Sequence, residues 1–390
     1  MRTSRTVALQ DVAAIEREVV DPSAIEDGTL YVGLENIESG GRFVGVRSVY
    51  AGELASSKFA FTSEHLLYGK LRPYLAKIAR PDFEGICSTD ILPILPGPKL
   101  DRGFLAWLLL TPEMVAFASS RASGANLPRL SPHALAELEI PLPPLPEQRR
   151  IAKIMDKADA LRAKRRAALV ELDSLTQSIF LDMFGDPATN PRRWPRRSLG
   201  DLITVGPQNG LYKPADDYGT GTPILRIDAF YDGAVTKLAS LKRVRLSVQE
   251  QALYALRQGE IVINRVNSRE YLGKSALVPA LRETTVFESN MMRFDVDRDV
   301  LRPGYLIQYL QTGFVKAHVN QSAKDAVNQS SINQRDVKAI PVVVPPIAAQ
   351  RFFDQCLSAH NRLKDSHAAS SAELHALFAS LQHRAFRGAL

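Results

Sequence analysis

At 390 residues, with 45% hydrophobic and 23% charged side chains, the chain has the composition of a globular protein long enough for two or three domains. No apolar run approaches the ~18 residues a membrane helix needs, and the N-terminal stretch MRTSRTVALQDVAAIEREVV reaches acidic residues before any leader-like apolar core. An intracellular, cytoplasmic protein with no membrane partner is therefore expected. The formal net charge of +7 fits a polyanion partner, and the two cysteines, Cys87 and Cys356, have no ligand-spaced neighbours that would suggest zinc or a disulfide framework.

In chain order, the first strand signals are YVGLENI (31–37) and HLLYGKLRP (65–73). They are followed by the polar loop Arg121-Ala122-Ser123-Gly124-Ala125-Asn126. Next comes EQRRIAKIMDKADALRAKRRAALVELDSLTQSIFLDMF, free of Pro and Gly. It carries apolar residues at Ile151, Ile154, Ala158, Leu161, Ala168, Leu172, Leu175 and Ile179, the 3-and-4 spacing of a coiled-coil seam. Arg165 interrupts that seam, and Gly185-Asp186-Pro187 ends the helix. ILRIDAF (224–230) and EIVINRVNS (260–268) then repeat the earlier strand signals. A second helix keeps its seam at Phe353, Cys356, Leu363, Leu374, Leu377 and Leu381, with His360, His367 and Ser370 in its weaker middle.

The chain duplicates itself. NLPRLSPHALAELEIPLPPLPEQRR (126–150) aligns without gaps on NQSSINQRDVKAIPVVVPPIAAQRF (328–352), pairing Asn126 with Asn328, Pro143-Pro144 with Pro345-Pro346, and Gln148-Arg149 with Gln350-Arg351. Such a long separation means duplicated domains rather than a solenoid. The expected fold is α+β: two similar β-rich recognition domains joined by two long antiparallel coiled-coil helices with pseudo-twofold symmetry. The expected boundaries are 1–143, helix 144–186, 187–345 and helix 346–390. The first helix, about 38 residues, would span roughly 55 Å, enough to set two reading heads along a duplex whose turn is about 34 Å.

The segments PLPPLPEQRRIAKIMDKADAL and FLDMFGDPATNPRRWPRRSLGDL (180–202), with the second Pro-Pro-x-x-x-Gln at 345–350, resemble the specificity subunits of type I restriction-modification systems. That resemblance implies two target recognition domains, each reading one half of a bipartite double-stranded DNA site across a helical spacer. It further implies no active site in this chain, and assembly with two adenine-N6 methyltransferase subunits and two translocase-nuclease subunits. S-adenosylmethionine, ATP and Mg would then act in the partners, with no cofactor here. The second copy replaces Leu145-Pro146-Glu147 by Ile347-Ala348-Ala349, so the two helix starts need not contact partners alike.

Catalytic motifs point the same way. An adenine-N6 methyltransferase needs Asn/Asp-Pro-Pro-aromatic to hold the flipped base, whereas Leu142 and Val344 precede the two Pro-Pro pairs, which suit helix entry. No phosphate loop of the G-x-x-x-x-G-K-[ST] type occurs. Pro81-Asp82-Phe83-Glu84 lacks the second carboxylate cluster of a metal nuclease, and His360, His367, His375 and His383 lie too far apart for a helix-borne metal pair. The run Arg162–Arg166 is either a solvated helix flank or a phosphate contact.

Base reading needs Arg, Lys, Asn or Gln that reach base edges, backed by groups on phosphates. The first copy offers Lys70, Arg72, Tyr74 and Lys77, together with Arg121, Ser123, Asn126 and Arg129. The second offers Asn264, Arg265, Asn267, Arg269 and Tyr271, with Gln321, Lys324, Asn328, Gln329 and Ser330. Matched places with unlike side chains are what two unlike half-sites require. The alternatives are the specificity chain of another multi-subunit system, a self-contained DNA enzyme whose motifs have drifted, and a basic coiled-coil scaffold that binds proteins.

Overall fold

A computed structural model describes residues 6–387 except Asn328, and the side chains of all of these but Asp173 and Ser174. The chain forms two compact units: the first runs to Ala167 and resumes at Ala368, and the second comprises residues 168–367. The two long helices, Leu145–Phe184 and Ile347–Phe386, are each shared between the units.

The first unit is built on a four-stranded antiparallel sheet in the order Ala13–Ile15, Ile91–Pro96, Leu66–Gly69, Ile78–Ala79. Leu66–Gly69 is buried along its whole length, as a continuous apolar run predicts. Five further strands form a second sheet, with Thr29–Val32 parallel to Gly85–Cys87 and the other pairings antiparallel. The core of the first unit gathers Leu66, Leu92, Ile94, Phe104, Leu105 and Trp107 with Ile151 and Met155 of one long helix and Phe378 and Ala385 of the other.

The second unit rebuilds this plan. Its six-stranded sheet sets Met291–Val296 beside the fully buried Ile261–Asn264, as Ile91–Pro96 lies beside Leu66–Gly69. Leu9 N donates to Leu138 O at 2.9 Å in the first unit, and Leu199 N to Ile340 O at 2.8 Å in the second. Phe180, Phe184, Tyr305 and Phe353 form an aromatic cluster at the centre of its core. Tyr305 Oη donates to Val343 O at 2.8 Å, and Tyr309 Oη to Pro341 O at 3.0 Å, which fastens Pro303–Leu310 to the strand Pro341–Val343.

The repeated glutamine explains itself in this frame. Gln148 and Gln350 are each 0% exposed. Gln148 Oε1 accepts from Asp101 N at 2.8 Å while its amide donates to Lys99 O at 3.0 Å and Pro143 O at 2.8 Å. Gln350 does the same with Arg302 N at 2.8 Å, Val300 O at 3.1 Å and Pro345 O at 2.8 Å. Each glutamine thus joins the first turn of a long helix, the Pro-Pro entry and the loop before the helix at 102 or 303.

The seam expected along the long helices is only partly buried. Leu161, Leu175, Leu363 and Leu377 are 54%, 42%, 48% and 53% exposed, whereas Met155, Phe180, Phe353 and Phe378 turn into the globular cores. Burial follows the sheets and short helices of each unit rather than a strict heptad. Among the described residues no single helix is long and apolar enough to cross a membrane.

Replacing Gln148 by Leu keeps volume but strands one N–H and two carbonyls. Each buried unsatisfied group costs about 1–3 kcal/mol, so with three groups stranded a loss of at least about 3 kcal/mol in the first unit is expected. Gln148→Glu should not rescue it, because a carboxylate cannot donate to Lys99 and Pro143. The check is urea unfolding followed by tryptophan fluorescence in a Trp194→Phe background, where Trp107 reports on the first unit alone.

Candidate nucleic-acid interface

The fold brings together, within each unit, the two loops that the sequence separates. In the first, Lys70 N donates to Asp90 O at 2.9 Å, Leu130 N to Lys70 O at 2.9 Å, and Leu71 bridges Arg129, which in turn bridges Ser123. In the second, Arg265 N donates to Asn290 O at 2.8 Å and Ile332 N to Arg265 O at 2.9 Å, while Val266 pairs with Ser331 and Ser331 with Lys324. The same backbone lattice therefore carries both loop pairs, with a cation, Lys70 or Arg265, at the same node.

Side chains hang on this lattice differently. In the first unit Arg72, Tyr74, Arg121 and Asn126 are exposed. Arg72 sits in the left-handed region at φ 52°, a conformation that costs a non-glycine residue about 1–2 kcal/mol. Strain of this kind concentrates at functional loops. The Arg121 guanidinium stacks 4.1 Å above the Phe117 ring. Arg129 is held by Asp90, Nε to Oδ1 at 2.9 Å, and Lys77 Nζ donates to Leu34 O at 2.6 Å, so these two brace the loop.

In the second unit Tyr271, Gln321, Lys324 and Gln329 are exposed and Asn267 is half-buried. Arg269 is clamped by Asp325, whose carboxylate takes both Nε at 3.0 Å and Nη2 at 2.5 Å, and Arg269 Nη1 donates to Asn320 O. Asn264, 0% exposed, and Ser330, 5% exposed, lie beneath this surface. Asn264 Nδ2 donates to Tyr271 O at 3.4 Å and Ser330 Oγ to Asp325 Oδ1 at 2.7 Å, so as the loop stands they support it rather than face outward. Asn328 lies outside the described residues.

Several participants escaped the reading of the sequence. The carboxylates Asp90 and Asp325 orient the guanidinium groups of Arg129 and Arg269. Asn333, Gln334 and Arg335 line an open polar cleft with Asn209 and Arg265. A signal for them existed: they stand inside the repeated segment and are base-reading residue types. The Asn333 side-chain Oδ1 meanwhile caps the helix Gln334–Lys338, accepting from Arg335 N at 2.8 Å and Asp336 N at 3.2 Å.

The remaining motifs take structural places. Phe83 packs edge-on to Phe43 and Phe61. Arg162 lies 4.1 Å over the Phe378 ring and pairs with Asp159 at 3.2 Å, so the basic run is half helix flank and half packing. Cys87 is buried and Cys356 half-buried, both as free thiols. Among the described residues no three His, Cys, Asp or Glu side chains converge as metal ligands would.

Residues 2–171 match the family model described as the type I restriction modification DNA specificity domain. The specificity subunit of the type I restriction enzyme EcoDI of Escherichia coli is 34% identical over 181 residues, 45% of this chain and 40% of that protein. The putative type I restriction enzyme MjaX specificity subunit of Methanocaldococcus jannaschii is 31% identical over 175 residues, 44% of this chain and 40% of that protein. The chain thus spans 40% of the length of these two relatives. A solved chain from work on complex assembly and conformational transition of the type I R-M system aligns over 100% of this chain and 99% of its own. Its TM-score is 0.65 at 23% identity, a likeness of fold.

The clamp on Arg269 has a measurable signature. The Arg269 guanidinium, then the Ser330 hydroxyl, holds the Asp325 carboxyl below the ordinary aspartate range. A depressed folded-state value means the clamp is intact above the unfolded pKa and is lost as pH falls through the lower folded value. Carboxyl carbon NMR should show Asp325 titrating late in acid, and Arg269→Ala should move it up toward about 3.9.

Proposed function

We propose that the chain is a DNA specificity subunit of a type I restriction-modification system, as the match of residues 2–171 supports, and that each of its two units reads one half of a bipartite double-stranded DNA site. The chain supplies recognition and no chemistry. Adenine-N6 methylation and restriction are carried out by two methyltransferase and two translocase-nuclease subunits, which bind the S-adenosylmethionine, ATP and Mg that the reactions consume.

The observation that carries this reading is the shared loop lattice. The hydrogen bonds that fix Lys70 against residues 90 and 130 recur around Arg265 with residues 290 and 332, yet the side chains displayed differ: Arg72, Tyr74, Arg121 and Asn126 on one, Asn267, Tyr271, Lys324 and Gln329 on the other. A common scaffold positions phosphate contacts, and unlike side chains give unlike base preferences. Arginine, asparagine and glutamine supply the bidentate donors and acceptors that distinguish guanine and adenine in the major groove.

Two outcomes test it. In the assembled complex, protection mapping should give two separated half-sites, and exchanging residues 1–143 for the equivalent segment of a relative should change one of them only. A single contiguous footprint, or a change in both halves, defeats the reading. Removing Arg72 or Arg121, if each neutralises a phosphate, should lower the slope of log affinity against log salt by about 0.9 apiece with little change in the preferred sequence.

A further inference from the structure

A short stretch recurs in both units although the loops around it do not. Arg72-Pro73-Tyr74-Leu75-Ala76-Lys77 in the first answers to Arg269-Glu270-Tyr271-Leu272-Gly273-Lys274 in the second, with arginine, tyrosine, leucine and lysine at one spacing. The residues that lead into it differ in kind and in number, Lys70-Leu71 against Arg265-Val266-Asn267-Ser268. The lysine nevertheless fixes a common register: Gly69 N donates to Lys77 O and Asn264 N to Lys274 O, each at 2.8 Å. The residue before the lysine is left-handed in both copies, Ala76 at φ 47° and Gly273 at φ 75°.

The side chains of the stretch divide between fold and surface. Both lysines are tethers: Lys77 Nζ donates to Leu34 O at 2.6 Å and Lys274 Nζ to Ile227 O at 2.7 Å. Leu34 follows Thr29–Val32 and Ile227 follows Tyr218–Leu225, the strands that run parallel to Gly85–Cys87 and Val286–Phe287, so the tether meets the same place in each unit. The arginines are used unequally, since Arg269 is held by Asp325 and Arg72 has no such clamp. The leucines differ too, Leu75 being 37% exposed and Leu272 3%. The tyrosines are alike. Tyr74 is 54% and Tyr271 40% exposed, and among the described residues neither hydroxyl has a hydrogen-bond partner. The Tyr271 ring stands edge-on to Tyr231 with centroids 6.4 Å apart, a contact that phenylalanine would make as well. The hydroxyl is therefore the part of each ring that the fold leaves unused.

Given the function proposed above, on which this step rests, we propose that Tyr74 and Tyr271 make one and the same contact in their two half-sites, the phenol hydroxyl donating to a phosphate oxygen of the duplex backbone. A group that is identical in two units reading unlike sequences serves what the half-sites share, and every duplex shares its backbone. Phosphate oxygens accept from tyrosine as they do from arginine and lysine. A lone hydroxyl is also poorly suited to choosing a base, because it both donates and accepts, whereas discrimination in the major groove rests on paired donors and acceptors. The tether fixes the arm that carries the ring. The unlike residues Asn126, Asn267 and Gln329 are then left to tell the half-sites apart.

The probe is a pool of random-sequence duplexes presented to the full chain assembled with methyltransferase subunits, followed by sequencing of the bound fraction and titration of the duplex it selects. The natural chain should select two half-sites; one that selects none defeats the proposed function, and this contact with it. Tyr74→Phe and Tyr271→Phe each remove a hydroxyl and keep the ring. Each should weaken binding about tenfold, select the same two half-sites, and leave the slope of log affinity against log salt unchanged, because a neutral hydroxyl releases no counterion. The two tyrosines lie in separate units, so the double variant should lose about a hundredfold. Unchanged affinity, or a changed base preference in either half-site, overturns the contact alone. So does weaker assembly with the methyltransferase in place of weaker DNA binding, which would make the tyrosines a protein contact. The urea midpoints should match the natural chain's, and a shifted midpoint would show that the hydroxyl serves the fold and overturn the proposal as well.

Discussion

The glutamine at the foot of each long helix is the constraint on which both units depend. A helix entering a folded core must settle the backbone groups around its first turn, because an amide buried without a partner costs more than a hydrogen bond gains. Gln148 and Gln350 meet that demand with one side chain apiece, accepting from one backbone N–H and donating to two carbonyls, all out of water. The carbonyl of Pro143 or Pro345 lies within the entry itself, and the other two partners lie just before the helix at 102 or 303. The direction of each long helix is thereby locked to the layer that carries the sheet. Any displacement of the helix start would break three bonds at once, so the site loops inherit a rigid base.

Rigidity at the base suits what the loops present. Exposed ion pairs such as Arg129–Asp90 and Arg269–Asp325 add little to stability in water, since Coulomb attraction there is offset by ordering and solvation. Their effect is geometric: a guanidinium held on two oxygens has a fixed plane. A fixed guanidinium plane in turn fixes the loop that carries it, so less rotamer entropy is left to lose when that loop meets a ligand. The same carboxylates also lower the net positive charge of each patch, which leaves Arg72 and Arg121 in the first unit and Lys324 and Arg335 in the second as exposed cations with no carboxylate clamp of this kind among the described residues.

What the sequence made legible follows from how local the governing physics is. Pro-Pro before a helix and a glutamine four residues on are local rules, so the duplication, the helix starts and the strands Leu66–Gly69 and Ile261–Asn264 could be read directly. The pairing of the 70–77 loop with 121–129 could be guessed as two patches but not joined, because the Leu71–Arg129 bridge spans residues far apart in the chain. Burial of Asn264 was illegible for a related reason. It ends a strand whose whole length is covered, and its polar side chain reads as a surface residue until the strand's neighbours are known. The seam was overread: Leu161 and Leu363 have the right spacing, but the apolar face of each helix is set by what the unit offers to pack against.

Trp107 and Gln308 show how far duplication constrains a fold. An intrachain ring plug is invisible in a sequence unless the copy that lacks it is beside it, because tryptophan on an apolar helix face is an ordinary core residue. Here the comparison is internal, and most of the surrounding frame is retained: the glutamine anchor, the aromatic pair on the preceding turn and the sheet pairing all recur. Thr176 and Gln308 stand where Phe378 and Trp107 meet edge-on at 5.6 Å in the first unit, and a solvent-open cleft lies there in the second. The frame therefore persists where its filling does not, because it is fixed by backbone hydrogen bonds and a ring pair in which neither Trp107 nor Phe378 takes part.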